Sequence, residues 1–238
     1  MKGDKDPMGR AIADYHCNGR AARLRVFSPV LDEDEIPVET LFRRLDDMPA
    51  IEREALNQAR GHILDVGAGA GCHALALQAM EKRVTAIDIS PLAVTTMRER
   101  GVKDVQEQDF FTLDGPQFDT ILMLMNGIGI VGTLSRLDAF FMQVDRLLAP
   151  GGQVLCDSSD LCYLYEDEDG FIDLTGVEGY YGEMNYRLQY RDVKGEPFDW
   201  LFVDADTLRQ QADRHGFDLD IVLVGDHYDY LARLTRKR

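Results

Sequence analysis

The run Leu64-Asp65-Val66-Gly67-Ala68-Gly69-Ala70-Gly71 sets three glycines at alternate positions directly after an apolar segment. Small residues at a strand-to-helix turn let the backbone pass close to a ligand and aim helix N–H groups at it. That chemistry suits any nucleotide-like cofactor. Three details narrow the choice. The spacing is GxGxG, whereas the dinucleotide fingerprint is GxGxxG. An acidic residue, Asp65, stands just before the glycines, and a Pro150-Gly151-Gly152 turn precedes a later apolar run. The four cysteines, Cys17, Cys72, Cys156 and Cys162, are scattered without a CxxC pair, so neither a zinc site nor a disulfide framework is expected, and no metal set can be assembled.

The elements that must position these residues alternate short apolar runs with helical patterns from about residue 62, the signature of a mainly parallel sheet covered by helices. Strands are expected over residues 63–66, 84–87, 120–124 and 153–156, with a weaker one near Val105. Asp88-Ile89-Ser90-Pro91 reads as strand end, N-cap serine and helix-starting proline. A helix is expected over residues 134–149, with Leu137, Phe140, Phe141, Val144, Leu147 and Leu148 on one face, stopped by the Pro-Gly-Gly turn. The chain end reads as a short helix over residues 208–215 and an antiparallel pair over 217–224 and 227–234.

Two segments lie outside this alternation. Residues 1–60 read as a helical lid, with Val38, Leu41, Phe42 and Leu45 at helical spacing and a second helix over residues 49–60. Residues 158–203 are an inserted cap rich in Tyr, Asp and Glu, with a hairpin flanking Lys194-Gly195. Residues 61–238 then form one α/β domain: a doubly wound, mostly parallel seven-stranded sheet with an antiparallel C-terminal strand.

Taken together, these residues resemble the class I (Rossmann-like) S-adenosylmethionine (SAM)-dependent methyltransferases, from about Ile63 to the C-terminus. The family's D/E-x-G-x-G-x-G motif is matched by Asp65, Gly67, Gly69 and Gly71; its ribose-binding acid by Asp88; and its L-x-P-G-G turn by residues 148–152. Asp109-Phe110 fits the family's adenine-side pair. The resemblance implies SAM as cofactor. A carboxylate at Asp88 can accept from both ribose hydroxyls in a charge-assisted pairing. Asp109 can accept from the adenine amino group or cap the next turn, with Phe110 or Ile89 packing on the ring. Asp65 orients the loop or the amino group of the methionine portion.

Methyl transfer from a sulfonium is an in-line displacement on an activated carbon, so alignment supplies much of the rate and a dedicated base is not obligatory. Asn126, in Met125-Asn126-Gly127 after the fourth strand, is a candidate acceptor contact, or simply a turn residue beside glycine. It lacks the prolines and aromatic of the base-methylating (D/N)-P-P-(Y/F) sequence. His73 is a candidate base or cofactor-carboxylate ligand, or a structural residue. Residues 157–160 face the same cleft, and Tyr180, Tyr181 and Trp200 either line an acceptor pocket or pack within the cap.

A net charge of −16 disfavours nucleic acid, whose binding draws on clustered Lys and Arg. No apolar run approaches a membrane span and residues 1–20 carry no apolar signal segment, so a cytoplasmic protein is expected. The expected acceptor is a small molecule. Glu166, Asp167, Glu168, Asp169, Asp173, Glu178 and Glu183 outweigh Arg187, Arg191 and Lys194 in the cap, which favours a neutral or cationic one. Oligomeric state is left open. A SAM-binding protein without catalysis is a second reading; a nicotinamide-dependent oxidoreductase is a third, disfavoured by the GxGxG spacing and the Pro-Gly-Gly turn.

Overall fold

The computed structural model describes residues 5–167 and 169–237. Six helices and twelve strands follow one another as α1 (Pro7–Asn18), β1 (Leu24–Phe27), β2 (Asp34–Ile36), α2 (Ala50–Gln58), β3 (His62–Val66), α3 (Cys72–Ala79), β4 (Arg83–Asp88), α4 (Pro91–Glu99), β5 (Val105–Glu107), β6 (Phe118–Met123), α5 (Leu137–Leu147), β7 (Leu148–Ser159), β8 (Glu183–Tyr190), β9 (Val193–Lys194), β10 (Phe198–Leu201), α6 (Ala205–Arg214), β11 (Phe217–Val224) and β12 (Asp229–Arg236).

The larger sheet has seven strands in the order β11-β12-β7-β6-β3-β4-β5. Pairing is parallel from β5 through β7, and β12 runs antiparallel to both β7 and β11. Alternation along each strand feeds two cores. Leu64, Val66, Ile121 and Met123 face the layer containing Phe140, Phe141 and Val144 of α5 and Leu208 of α6. Ile63, Leu122 and Leu155 face the layer containing Leu56 of α2, Leu77 of α3 and Met97 of α4. Burial on both faces explains why the central strands read as continuous apolar runs. The chain order reverses between β3 and β6, and ligands of open α/β sheets bind beyond the carboxyl ends of the strands at such a point.

The second sheet is antiparallel, in the order β10-β8-β1-β2 with β9 paired to β8. Its central register joins distant segments, Leu24 opposite Tyr190 and Phe27 opposite Arg187. The Tyr190 hydroxyl accepts from Ala22 N at 3.0 Å and donates to Asp14 of α1 at 2.9 Å. Helix α1 begins at an Asp6 cap that accepts from Gly9 N at 2.8 Å, and it packs between this sheet and α4.

The first 60 residues therefore depart from the helical lid expected of them. They contain β1 and β2, whose apolar alternation is too short to read as strands without their partner β8. The helical spacing at Val38, Leu41 and Phe42 folds as a 3-10 turn, Val38–Phe42, and Leu45 opens another, Leu45–Asp47, with extended Arg43 and Arg44 between them. The extended backbone at Arg43 and Arg44 divides the stretch between Pro37 and Pro49 into two short turns instead of one helix. The Pro-Gly-Gly turn is absorbed into the start of β7, where the register against β6 shifts between Phe118 and Thr120. Among the described residues no helix is long and apolar enough to cross a membrane.

Candidate functional site

Gly67, Gly69 and Gly71 all adopt left-handed backbone, with φ of 67°, 55° and 81°. At Gly67 an added Cβ would meet nothing within 4 Å, so the backbone conformation selects glycine there. At Gly71 it would press on Met97 Cγ at 2.9 Å, so close packing of α3 on α4 adds a second reason. Asp88 closes β4 beside the loop: one carboxylate oxygen accepts from Gly69 N at 2.8 Å and the other from Ser90 N at 2.8 Å. Burial raises its pKa, and these N–H donors oppose that rise. With the Ile89 backbone N–H also donating to it, the carboxylate keeps part of its acceptor capacity for a ligand.

A cavity of about 210 Å³ opens here, walled by Gly67, Asp88, Ile89, Asp109, Phe110 and Phe111, with Ile130 and Arg136 at its far side. Phe110 is buried and Ile89 exposed. Asp109 accepts from Phe111 N at 2.8 Å through one oxygen, so it does cap the following turn while still lining the cavity. The Arg136 guanidinium lies 4.7 Å from the Phe111 ring centroid. A flat apolar wall with a carboxylate pair at its edge fits the adenosine half of SAM.

Asp65 lies behind the glycines, 1% exposed, and its Oδ2 is buried without a hydrogen-bond partner. Burial pushes its pKa up to about 6, with His73 opposing and Asp88 adding to the rise. His73, in the first turn of α3, is 5% exposed, and its Nε2 lies 2.8 Å from Glu52 Oε2. Burial works against its charged form, yet Cys72, Glu52 and Asp65 together hold its pKa well above the ordinary value. Its burial and its contact with Glu52 tie His73 to α2, which favours the structural reading of this residue over that of a base. The other Glu52 oxygen accepts from Arg43 Nη2. Glu52 and Arg43 escaped the sequence analysis because no motif spacing ties them to the loop. One signal was present: Ile51, Glu52, Ala55 and Leu56 form the buried face of α2, and a carboxylate on an apolar stripe needs a partner.

Across the cleft, Met125 and Asn126 follow β6 with φ of 67° and 54°, two consecutive non-glycine residues in the left-handed region. Asp157 of β7 holds this turn, accepting from Met125 N at 3.1 Å and Gly127 N at 3.0 Å. Burial lifts its pKa to about 6 against these donors. Asn126 Oδ1 accepts from Ser159 Oγ at 2.9 Å, which fixes its side chain. Trp200 of β10 lies on the next turn: a Cβ on Gly129 would fall 2.0 Å from Trp200 Nε1. The second sheet thus rests on the segment that also supplies Ile130 to the cavity.

Of the three cap aromatics, Tyr180 and Tyr181 pack together, ring centroids 4.7 Å apart, while Trp200 stands on Gly129. Tyr181 donates to Asp160 at 2.8 Å, near the end of β7, and Tyr180 donates to Asp204, the cap of α6, at 2.6 Å. Of the cap acids, Asp167 and Asp173 accept from nearby backbone N–H groups and Glu183 from Leu134 N. Glu168 lies outside the described residues. The cap cations turn toward the N-terminal segment: Arg187 lies over Phe27, and Arg191 pairs with Asp14 at 3.1 Å.

Comparison with known proteins places these features in context. A methyltransferase domain family matches residues 63–152. The chain is similar over its whole length to a SAM-dependent methyltransferase from Bacteroides fragilis solved in complex with S-adenosyl-L-homocysteine. That pair shares 54% identity with a TM-score of 0.94, covering 100% of this chain and 98% of the other. The ubiquinone/menaquinone biosynthesis C-methyltransferase UbiE of Rubrivivax gelatinosus is 30% identical over 108 residues, 44% of this chain, and the match spans 41% of that curated relative. The CcbJ methyltransferase of Streptomyces caelestis shares the fold at a TM-score of 0.63 and 15% identity, covering 98% of each chain.

Proposed function

The chain belongs to the SAM-dependent methyltransferases, and from that premise we propose that its acceptor is a small, neutral or cationic molecule, not a nucleic acid, received beneath the second sheet. The observation that carries this reading is the seating of Trp200 on Gly129, which brings β10 of the second sheet down onto the turn after β6, in the segment that also supplies Ile130 to the cavity. The charged groups near that contact suggest its sign. Asp157 and Asp160 stand at the carboxyl end of β7 and Asp204 caps α6, while Arg187 and Arg191 are drawn toward Phe27 and Asp14 and Arg136 lies over the Phe111 ring. A cleft of one sign attracts the opposite charge.

SAM supplies a methyl group already activated as a sulfonium, so the chain's task is placement. Asp88 accepts from the ribose hydroxyls through the acceptor capacity its backbone donors leave. Ile89, Asp109 and Phe110 hold the adenine, with Asp109 using the oxygen not committed to Phe111 N. The turn at Met125-Asn126 brings backbone and the Asn126 amide toward the reacting carbon, and Asp157 keeps that turn from relaxing. Exclusion of water by the second sheet keeps the acceptor as the nucleophile.

The test supplies methyl-labelled SAM with separate pools of amines, neutral hydroxylated compounds, carboxylic acids, and DNA or RNA. Label in the amine or neutral pool supports the proposal. Label confined to acids or nucleic acid overturns it, and tight SAM binding with no transfer to any pool makes the protein a binder and not an enzyme.

A further inference from the structure

Two buried polar atoms lack a hydrogen-bond partner among the described residues, Arg43 Nε and Asp65 Oδ2. They are a donor on a cation and an acceptor on a carboxylate. Both belong to one side-chain cluster, because Arg43 is bound to Glu52, Glu52 to His73, and His73 acts on Asp65. The segment carrying Arg43 lies against the glycine loop: Leu41 packs with Ile12, Ala70 and Ala93, and Phe42 and Met125 join that contact. SAM is linear, with adenine and ribose at one end and a zwitterionic amino-acid group at the other. With its adenosine half in the cavity beside Asp88, the other end must reach the Asp65 side of the loop.

That end carries a carboxylate into a neighbourhood already holding Asp65, Glu52, Asp157 and Asp88. It needs a cation with donors to spare. His73 has committed Nε2 to Glu52. Arg100, the other guanidinium beside the loop, donates to Ala70 O and lies 4.5 Å from the Phe42 ring centroid. Arg43 binds Glu52 through Nη2, and among the described residues its buried Nε has no hydrogen-bond partner, so the guanidinium has a donor to spare.

We propose that Arg43 receives the carboxylate of the cofactor's amino-acid end, and that Glu52, pinned by His73, holds the guanidinium in position to do so. The proposal rests on the SAM reading and adds a binding residue from outside the glycine-loop motif. Glu52 and His73 are positioning residues in this arrangement, touching Arg43 or each other and not the ligand.

The experiment compares ligands that differ only at that end. S-adenosylhomocysteine and SAM carry the full amino-acid group, decarboxylated SAM lacks the carboxylate, and 5′-methylthioadenosine lacks carboxylate and amine together. Calorimetry on the full-length protein should show Arg43→Met weakening S-adenosylhomocysteine ten- to hundredfold. Its affinity for 5′-methylthioadenosine should stay within twofold of wild type. The wild-type preference for SAM over decarboxylated SAM should collapse in that variant and partly return in Arg43→Lys. Arg100→Met should shift SAM and decarboxylated SAM equally. Equal weakening of S-adenosylhomocysteine and 5′-methylthioadenosine in a folded Arg43→Met would show a structural role and overturn the proposal. So would an unchanged preference between the two SAM forms. Failure of the cofactor reading itself looks different: the wild-type protein binds none of the four ligands.

Discussion

The two sheets of this protein are assembled by opposite rules. In the seven-stranded sheet the candidate cofactor and acceptor residues sit at or just beyond strand ends: Gly67 after β3, Asp88 closing β4, Asp109 after β5 and Asn126 after β6. Each is placed by its own short stretch of chain. The smaller sheet has no such local logic. Its central strands β1 and β8 come from opposite halves of the sequence, and β10 finds its place by laying Trp200 on a glycine of the larger sheet. The larger sheet carries candidate site residues that are each positioned locally. The smaller one is positioned through its contact with the turn after β6.

The joint between the two regions is where the largest effect is expected. Arg43 follows the second sheet in the chain, His73 opens α3, and Glu52 binds both with a side chain 6% exposed. Glu52→Ala leaves two cations buried without their anion, which should cost about 3–5 kcal/mol in urea denaturation. Wild-type stability in that variant would break the view that a buried ion pair joins the regions.

Next comes the larger sheet alone. Asp88→Ala removes the carboxylate expected to hold two ribose hydroxyls, about 1.5–3 kcal/mol or roughly ten- to hundredfold in S-adenosylhomocysteine affinity by calorimetry. Trp200 is the single tryptophan, so its fluorescence should stay put and report an undisturbed second sheet. Gly129→Ala is the converse. A methyl 2.0 Å from Trp200 Nε1 must push β10 away, with a cost of about 1–3 kcal/mol and a shift in that fluorescence. Cofactor affinity should change only a few-fold. If Gly129→Ala abolished cofactor binding, the two sheets would be one functional unit and the contrast between them would fail.

The smallest expected effect sharpens the comparison through pH. The Asp65 carboxyl, raised to about 6, must lose its proton before it can pair with a ligand ammonium. S-adenosylhomocysteine affinity should therefore climb by up to about tenfold per unit as pH rises toward 6, then level off. Asp65→Asn should flatten that climb, and a slope that survives the substitution assigns the proton elsewhere. Stability runs the other way for the same group and for Asp157. Both are harder to ionise folded than unfolded, so their ionisation destabilises the ligand-free protein as pH rises from about 4 to about 6.

What could be read from sequence follows the same division. The mostly parallel seven-stranded sheet with its antiparallel C-terminal strand, the flanking helices and the grouping of Gly67, Asp88 and Asp109 were legible because each depends on a strand end, a cap or a glycine-rich turn. Asn126 was found as a turn residue, but not the carboxylate of Asp157 that holds its neighbours. Pairing across 30 and 32 residues leaves no local periodicity, only an aspartate in an apolar strand. His73 was marked for its place in the first turn of α3, and the partner that fixes its proton lies in another helix. The lid was misread most, since four residues of alternation at β1 mean nothing until β8 lies beside them. That pairing also alters how the cap can be tested. Replacing residues 158–203 with a flexible loop removes β8 and leaves β1 unpaired on that edge, so point substitutions such as Gly129→Ala are the cleaner probe.

The pairing of Ala22 with Tyr190, 168 residues apart, sets an order of events during synthesis. At roughly 5–20 residues per second, β1 leaves the ribosome about 10–30 s before β8 exists. During that interval β1 has only β2 to pair with, and its other edge presents free N–H and C=O groups. The glycine loop and the strands through β7 are complete before the tyrosine that seals the second sheet has been made. A chain stalled after β7 would hold most of its cofactor site and no finished cover over it.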